Sequence, residues 1–294
     1  MKRLPNFIFS SFITIHMIQK LVFSLCAAAF ILSANAQSVQ GKLNLRQGQK
    51  YTEKATVNAT TKMEQMGGEL ESQLTTTTYN QLLVKKNTGP DYIVESMLKR
   101  LVLSMSVMGS EQNYDSDNKD AAEPGQGDEL LNKAITVSVD REGKILSVSY
   151  NSTINQSTRE LLMVQNTLVT GAPFGALAVI GNGQPVKPGA SWTDSVSTPN
   201  LNLNTVYTLK SVDGNEAVVT YLSKTSTKTI GNEMGMEMTV SMAGTIEGEL
   251  LVDLESGIVK KRNATLHTTG VLEAAGQEIP ISTVSTIESE ITPD

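Results

Sequence analysis

The sequence predicts a mainly β protein: a strongly curved antiparallel sheet, either a half-barrel or two packed sheets, with one principal helix at about residues 156–170. Three observations predict it. Apolar and polar residues alternate with period two along several stretches, and turn-forming residues punctuate them at short intervals. The only cysteine is Cys26, near the start, so stability has to come from a packed core rather than from disulfides.

The first element is a targeting segment over residues 1–36. Lys2, Arg3 and Lys20 precede an apolar run from Leu21 to Leu32, and Ser33-Ala34-Asn35-Ala36 follows, with no acid before Glu53. Those are the three regions of a secretory signal, and Ala34 and Ala36 are small where a signal peptidase requires it. Cleavage is expected between Ala36 and Gln37, with Met17 an equally reasonable start. The apolar run after Lys20 is far short of the roughly 20 residues that a membrane-crossing helix needs, so no stable membrane span is expected after cleavage. Removing the segment leaves 21 basic against 30 acidic residues, a formal charge of −9. That balance excludes nucleic acid and anionic membrane surfaces as partners, because both demand a basic face.

The second element is a β-rich half, residues 37–180, that carries the helix. In Leu101–Val107 the odd positions Leu101, Leu103, Met105 and Val107 share one side, and Ile135, Val137 and Val139 repeat the pattern. A tight turn at Asp140-Arg141-Glu142-Gly143 returns the chain through Leu146, Val148 and Tyr150. The helix follows from Leu161, Leu162, Val164, Leu168 and Val169 at helical spacing, stopped by Gly171-Ala172-Pro173. A loop rich in Gly, Pro and Ser over 181–199 connects to a second β-rich half, residues 200–294. There, Asp213-Gly214-Asn215 and Glu255-Ser256-Gly257 each join two alternating stretches, and the likeness of the Asp140 and Asp253 hairpins hints at two related halves. Trp192 is expected to anchor the connecting loop in the core.

Catalytic groups are sparse. After cleavage the one histidine is His267, and no nucleophile elbow, phosphate loop or dinucleotide fingerprint occurs. The acidic loop with Asp115, Asp117, Asp120 and Glu123 lacks the glycine and terminal glutamate of a calcium loop and reads as a solvated surface segment. Neither a metal nor another cofactor is expected. The distinctive feature is a stripe of methionines, Met234, Met236, Met238 and Met242, all of one parity. Such a stripe would line an apolar ligand site with soft, adaptable side chains, and the same sulfurs could instead hold Cu(I). Asp194-Ser195-Val196 resembles a short acceptor motif for O-glycans on exported bacterial proteins, with Ser195 the acceptor.

Taken in order, Leu43-Asn44-Leu45-Arg46-Gln47-Gly48-Gln49-Lys50-Tyr51, the 63–67 segment, Tyr114-Asp115-Ser116, the Asp140–Ile145 hairpin and Pro185-Val186-Lys187-Pro188-Gly189-Ala190-Ser191-Trp192 resemble an uncharacterised family of secreted Bacteroidota proteins, a domain of unknown function. The resemblance implies an exported chain in the periplasm, secreted or associated with the outer membrane. At the level of fold it also suggests an analogy with lipoprotein-carrier half-barrels, which hold acyl chains in a concavity. The expected function is a non-enzymatic envelope protein that binds an apolar small molecule or an envelope protein. A carboxylate-dependent hydrolase and a purely structural surface protein are the alternatives.

Overall fold

A computed structural model describes residues 38–65, 68–118, 130–154, 158–159, 168–233, 236–274 and 276–294. Twelve strands carry most of them: β1 Lys50–Gln65, β2 Gly68–Asn87, β3 Tyr92–Val107, β4 Ser110–Asp115, β5 Ala134–Val139, β6 Ile145–Tyr150, β7 Ser191–Ser197, β8 Leu201–Asp213, β9 Glu216–Glu233, β10 Met236–Asp253, β11 Val259–Ala274 and β12 Gln277–Pro293. All belong to one antiparallel, unclosed sheet in the order β6-β5-β3-β2-β1-β12-β11-β10-β9-β8-β7, with β4 alongside β3. Most pairings join consecutive strands; the exceptions are β5, which passes β4 to pair with β3, and the pairing at the centre. There β1 pairs with β12 from Tyr51↔Pro293 to Met63↔Ile281 and fuses two meanders into a single sheet.

The period-two pattern sorts the strands into two faces. Tyr51, Val57 and Met63 of β1 lie beside Ile287 and Ile281 of β12 on an inner face, whereas Lys54, Asn58 and Lys62 point outward. The outer face is mostly polar and carries ion pairs such as Lys62–Glu69 at 2.7 Å and Lys261–Glu290 at 3.3 Å, with Val206, Leu222, Ile230 and Val284 exposed among them. Exposed pairs of this kind contribute little to stability. The inner face makes the core.

That core sits at one end of the sheet, where β1 begins and β12 ends. Tyr92, Val137 and Val139 are fully buried there, together with Leu82, Ile145 and Ile291. Val196 of β7 and Leu201 of β8 join the same cluster as Val94 and Val137 from the opposite wing. The sheet therefore curls towards its inner face until its two edges approach, and Lys144 beside β6 meets Asp194 of β7 at 3.4 Å. A second buried cluster, with Leu209, Ala217, Val219, Leu250 and Val252, lines the adjoining part of the C-terminal wing.

Two stretches without regular structure close this end. Residues 171–186 cross it as a strap: Ile145 N–H donates to the Ala172 carbonyl (2.8 Å), Val259 N–H to Ala176 (3.0 Å) and Gly41 N–H to Ile180 (3.3 Å). Residues 39–45 run beside the strap, with Val39 and Val186 exchanging both backbone hydrogen bonds at 2.9 Å. Tyr92 clasps this second stretch. Its hydroxyl donates to the Leu43 carbonyl (2.8 Å) and accepts from Leu45 N–H (3.4 Å), while Arg141 packs 4.2 Å from the ring centre.

Curvature beyond the closed end depends on glycine. A Cβ on Gly244 of β10 would stand 1.9 Å from the His267 carbonyl oxygen, and one on Gly270 of β11 would stand 1.9 Å from that of Ser241. Both glycines lie on the inner face, so β10 and β11 crease tightly there only because neither residue has a side chain.

Several expectations meet this architecture. The mainly β, curved-sheet reading holds, as a single open sheet. The Asp140–Gly143 and Asp253–Gly257 turns form as expected, each capped by its aspartate: Asp140 Oδ1 accepts from Glu142 N–H (2.8 Å) and Asp253 Oδ1 from Ser256 N–H (2.7 Å). The region expected as a connecting loop, 181–199, contains β7, because Trp192, Asp194 and Val196 alternate inward against Tyr207, Thr205 and Leu203. The expected helix over 156–170 falls mostly outside the described residues, and Thr158 and Arg159 within it are helical. Its last three positions are not helical, since the chain at Leu168–Thr170 already bends towards the strap and buries Leu168 in the core. The cleavage site at Ala36 and Gln37 lies outside the described residues.

Candidate functional site

The inner face continues well past the buried core. Along β11 it presents Ala264, Leu266, Thr268, Gly270 and Leu272, and along β10 Ile246, Met242, Val240 and Met238. Val57 of β1, Leu74 of β2, Leu103 of β3 and Ile279, Ile281 and Ile287 of β12 extend the same surface to the other wing. Apart from buried Ala264 these side chains are half-buried or more open, and Leu74 and Met105 reach 39% and 37% exposure. They line an open trough. Ten residues separate Arg262 from Leu272, roughly 33 Å of extended strand. Open hollows of about 350 and 520 Å³ sit at its rims, one lined by Val196, Leu203 and Lys224 and the other by Leu70, Ser106 and Met108.

Where the trough meets the packed end, the inner face turns polar and aromatic. Trp192, Tyr207 and Tyr221 form a ladder across β7, β8 and β9, with ring centres 5.7 and 6.0 Å apart. The Tyr221 ring lies over Gly248 of β10, where an added Cβ would come within 2.9 Å of it. Beside the ladder, the buried hydroxyls of Thr205 and Ser223 share a hydrogen bond of 2.8 Å. Burial pushes the Tyr207 hydroxyl up to about 12, helped by the negative charge of Asp194; the Tyr221 hydroxyl also rises through burial. The positive charge of Arg262 opposes both shifts.

Arg262 of β11 is the inward-facing cation of this ledge. It lies between Leu250 of β10 and Ser289 of β12. One Nη2 N–H donates to the Gly175 carbonyl of the strap, and Nε is shut off from solvent with no partner among the described residues. Asp194, by contrast, is satisfied by Lys144 and by Ser195 N–H (2.9 Å).

The residues singled out from sequence scatter over this frame. Met238 and Met242 lie on the trough face; Met234 and the side chain of Met236 fall outside the described residues. Met63 and Met105 share that face, but Met97 has outward parity and Met108 is 84% exposed at the tip of the β3–β4 turn. Ser195 is exposed on the outer side of β7, and His267 is exposed on the outer face of β11. Trp192 enters the second core cluster as part of a strand. Asp115 and Asp117 turn onto Arg100, at 2.7 and 3.3 Å, and hydrogen bonds from Arg100 hold the Asp115 carboxyl below the usual carboxylate range. Among the described residues no three His, Cys, Asp or Glu side chains gather as a metal site. No described helix is long and apolar enough to cross a membrane.

Sequence reasoning missed Arg262 and the tyrosine ladder. Arg262 stands in a run of three cations, Lys260, Lys261 and Arg262, and only strand parity separates it from its outward neighbour Lys261. Tyr207 and Tyr221 share alternating stretches with Leu209 and Val219, which was the available signal.

The open curled sheet defines the class. It is similar to a solved structure of lipid–protein interactions in lipovitellin, with a TM-score of 0.53 and 9% sequence identity over 85% of this chain. The chain spans about a quarter of lipovitellin's length, 25%. An outer-membrane channel from Pseudomonas putida gives a TM-score of 0.27 at 9% identity, covering 85% of this chain and 97% of the channel. Pseudomonas aeruginosa OccK7 (OpdD) gives 0.25 at 8%, covering 85% and 100%. The likeness of fold rests on lipovitellin. Residues 173–259, from the strap to the start of β11, match the model of a family of unknown function, DUF6263, consistent with the resemblance noted in the sequence. No curated protein matches the chain.

Proposed function

We propose that this chain is an exported, non-enzymatic protein of the bacterial envelope that holds an acyl-chain-like ligand in its trough. One observation carries the reading. The inner face that is sealed at one end of the sheet continues as a half-exposed apolar surface along the rest of it. Leaving that much apolar surface in water costs roughly 25 cal/mol per Å², and a ligand lying along the strands recovers that free energy. Adaptable side chains such as Met238 and Met242 suit a flexible hydrocarbon better than a rigid one. The similarity to lipovitellin, whose solved structure concerns lipid–protein interactions, supports the reading at the level of fold. The secretory pattern of residues 1–36 supports export.

Native mass spectrometry of the full-length protein, expressed and matured in a bacterial envelope, tests this. The expected result is a population carrying extra mass that organic extraction removes, and that Leu74→Asp with Met242→Asp abolishes while the fold survives. A ligand-free spectrum, together with no uptake of palmitate or hexadecan-1-ol after extraction, overturns it.

A further inference from the structure

We propose that Arg262, with the Tyr207 and Tyr221 hydroxyls beside it, receives the oxyanion head of a single-chain amphiphile whose hydrocarbon runs along β11 and β10 into the trough. This rests on the trough being a ligand site and adds the chemical class of the ligand.

The argument begins with an uncompensated charge. The chain is acidic overall, at −6, and several of its cations sit against carboxylates: Lys144 with Asp194, Arg100 with Asp115, Lys260 with Glu216. Arg262 points inward and has no carboxylate within ion-pair distance among the described residues. A guanidinium presents five N–H donors in a planar fork, and the one acceptor it meets here is the Gly175 carbonyl. Its Nε hydrogen is cut off from water without a partner. The rest of the guanidinium is partly exposed, so its outer N–H groups can meet a ligand, while the buried Nε hydrogen is a donor left without an acceptor. An anion arriving along the trough supplies the missing acceptors in the bidentate geometry that arginine recognises best.

The surroundings fit a head group. Tyr207 and Tyr221 remain protonated well past neutral pH and so stay donors, and both feel the Arg262 charge. Gly248 has no side chain on the inner face, so the Tyr221 ring leans over it towards Ala264, one inward position along β11 from Arg262. On the packed side of Arg262 the strap closes the path at Gly175, and on the other side Ala264, Leu266 and Leu272 lead away along its own strand. A charged end and an apolar run in line describe a fatty-acid or alkyl-phosphate shape. Free phosphate or a short carboxylate would have the head and no use for the trough.

Binding to the extracted full-length protein, followed by calorimetry, separates these possibilities with four probes: palmitate, hexadecyl phosphate, hexadecan-1-ol and acetate. Palmitate and hexadecyl phosphate are expected to bind at least tenfold more tightly than hexadecan-1-ol, and acetate not measurably. Arg262→Met should remove that preference and leave hexadecan-1-ol affinity unchanged, while Arg262→Lys keeps part of it. Equal affinity of the unmodified protein for palmitate and hexadecan-1-ol overturns the assignment of Arg262 and leaves the trough standing. Failure of all long-chain probes overturns both, and acetate binding as tightly as palmitate removes the trough from the site. The comparison of probes on the unmodified protein decides the matter even if Arg262→Met does not fold.

Discussion

The two ends of the sheet use one sequence pattern for opposite purposes. At the closed end, inward residues of both wings pack on one another and on the strap, so that Tyr92, Val137, Val139, Leu209 and Val252 have essentially no contact with water. At the open end the same inner face carries Leu74 of β2 and, past a bulge that shifts the parity of β3, Met105, each more than a third exposed. Composition differs less than surroundings do. Alternation tells a strand which side is apolar, but only a second layer makes that side a core, and in the described chain the strap and the 39–45 stretch are that layer. Stability is thus concentrated at one end, and the inner face stays partly free at the other, which is the division of labour that the proposed ligand site requires.

The sharpest way to break this comparison is to truncate one inward side chain at each end. Tyr92→Ala removes a fully buried ring and the clasp on Leu43 and Leu45, and should cost about 3–5 kcal/mol. Leu74→Ala should cost within about 1 kcal/mol, as expected for a side chain already more than a third exposed. Urea unfolding midpoints measure both, and comparable losses would show that the open end is as much a core as the closed one.

Alkaline unfolding examines the border between the ends. Burial favours the neutral Tyr207 phenol, so the folded chain keeps its proton between pH 10 and about 12, where the unfolded chain has lost it. Its contribution to stability is complete below pH 10 and is lost as pH rises towards 12. The expected loss is on the order of 2–3 kcal/mol over that window. Tyr51, Tyr150 and Tyr221, also raised by burial, act in the same direction. Tyr207→Phe should flatten the pH dependence above pH 10 without altering it at neutral pH. An unchanged slope would move Tyr207 out of the buried ledge.

A single added methyl group tests the curl itself. Gly244→Ala places a methyl group against the His267 carbonyl and should cost about 1–3 kcal/mol as β10 and β11 separate. Small-angle scattering should show a wider, flatter particle, and uptake of palmitate should fall. A variant with unchanged scattering and unchanged uptake would mean that the crease has no part in shaping the trough.

Much of this fold was legible in the chain because strand parity and turn chemistry are local. The Leu101–Val107 alternation, the Asp140–Gly143 turn and the Asp253–Gly257 turn depend on residues within a few positions of one another. The 181–199 stretch misled because Gly, Pro and Ser at its start obscured the short alternation of Trp192, Asp194 and Val196, which becomes a strand only when β8 lies beside it. The candidate site was less legible still. Methionine spacing pointed to the trough face, yet Arg262 reads as one of three neighbouring cations until β10 and β12 fix which way it points.

By itself the sequence determined an acidic chain, a β class with its hairpins, and which side of most strands is apolar, since each of these follows from charge count or from neighbours along the chain. The tertiary structure alone decided that β1 pairs with β12, that the strap seals one end of the curl, that Gly244 and Gly270 meet at a crease, and that Arg262 faces inward without a counter-ion. Those features depend on residues brought together from distant positions, so they exist only once the whole sheet has closed around its core.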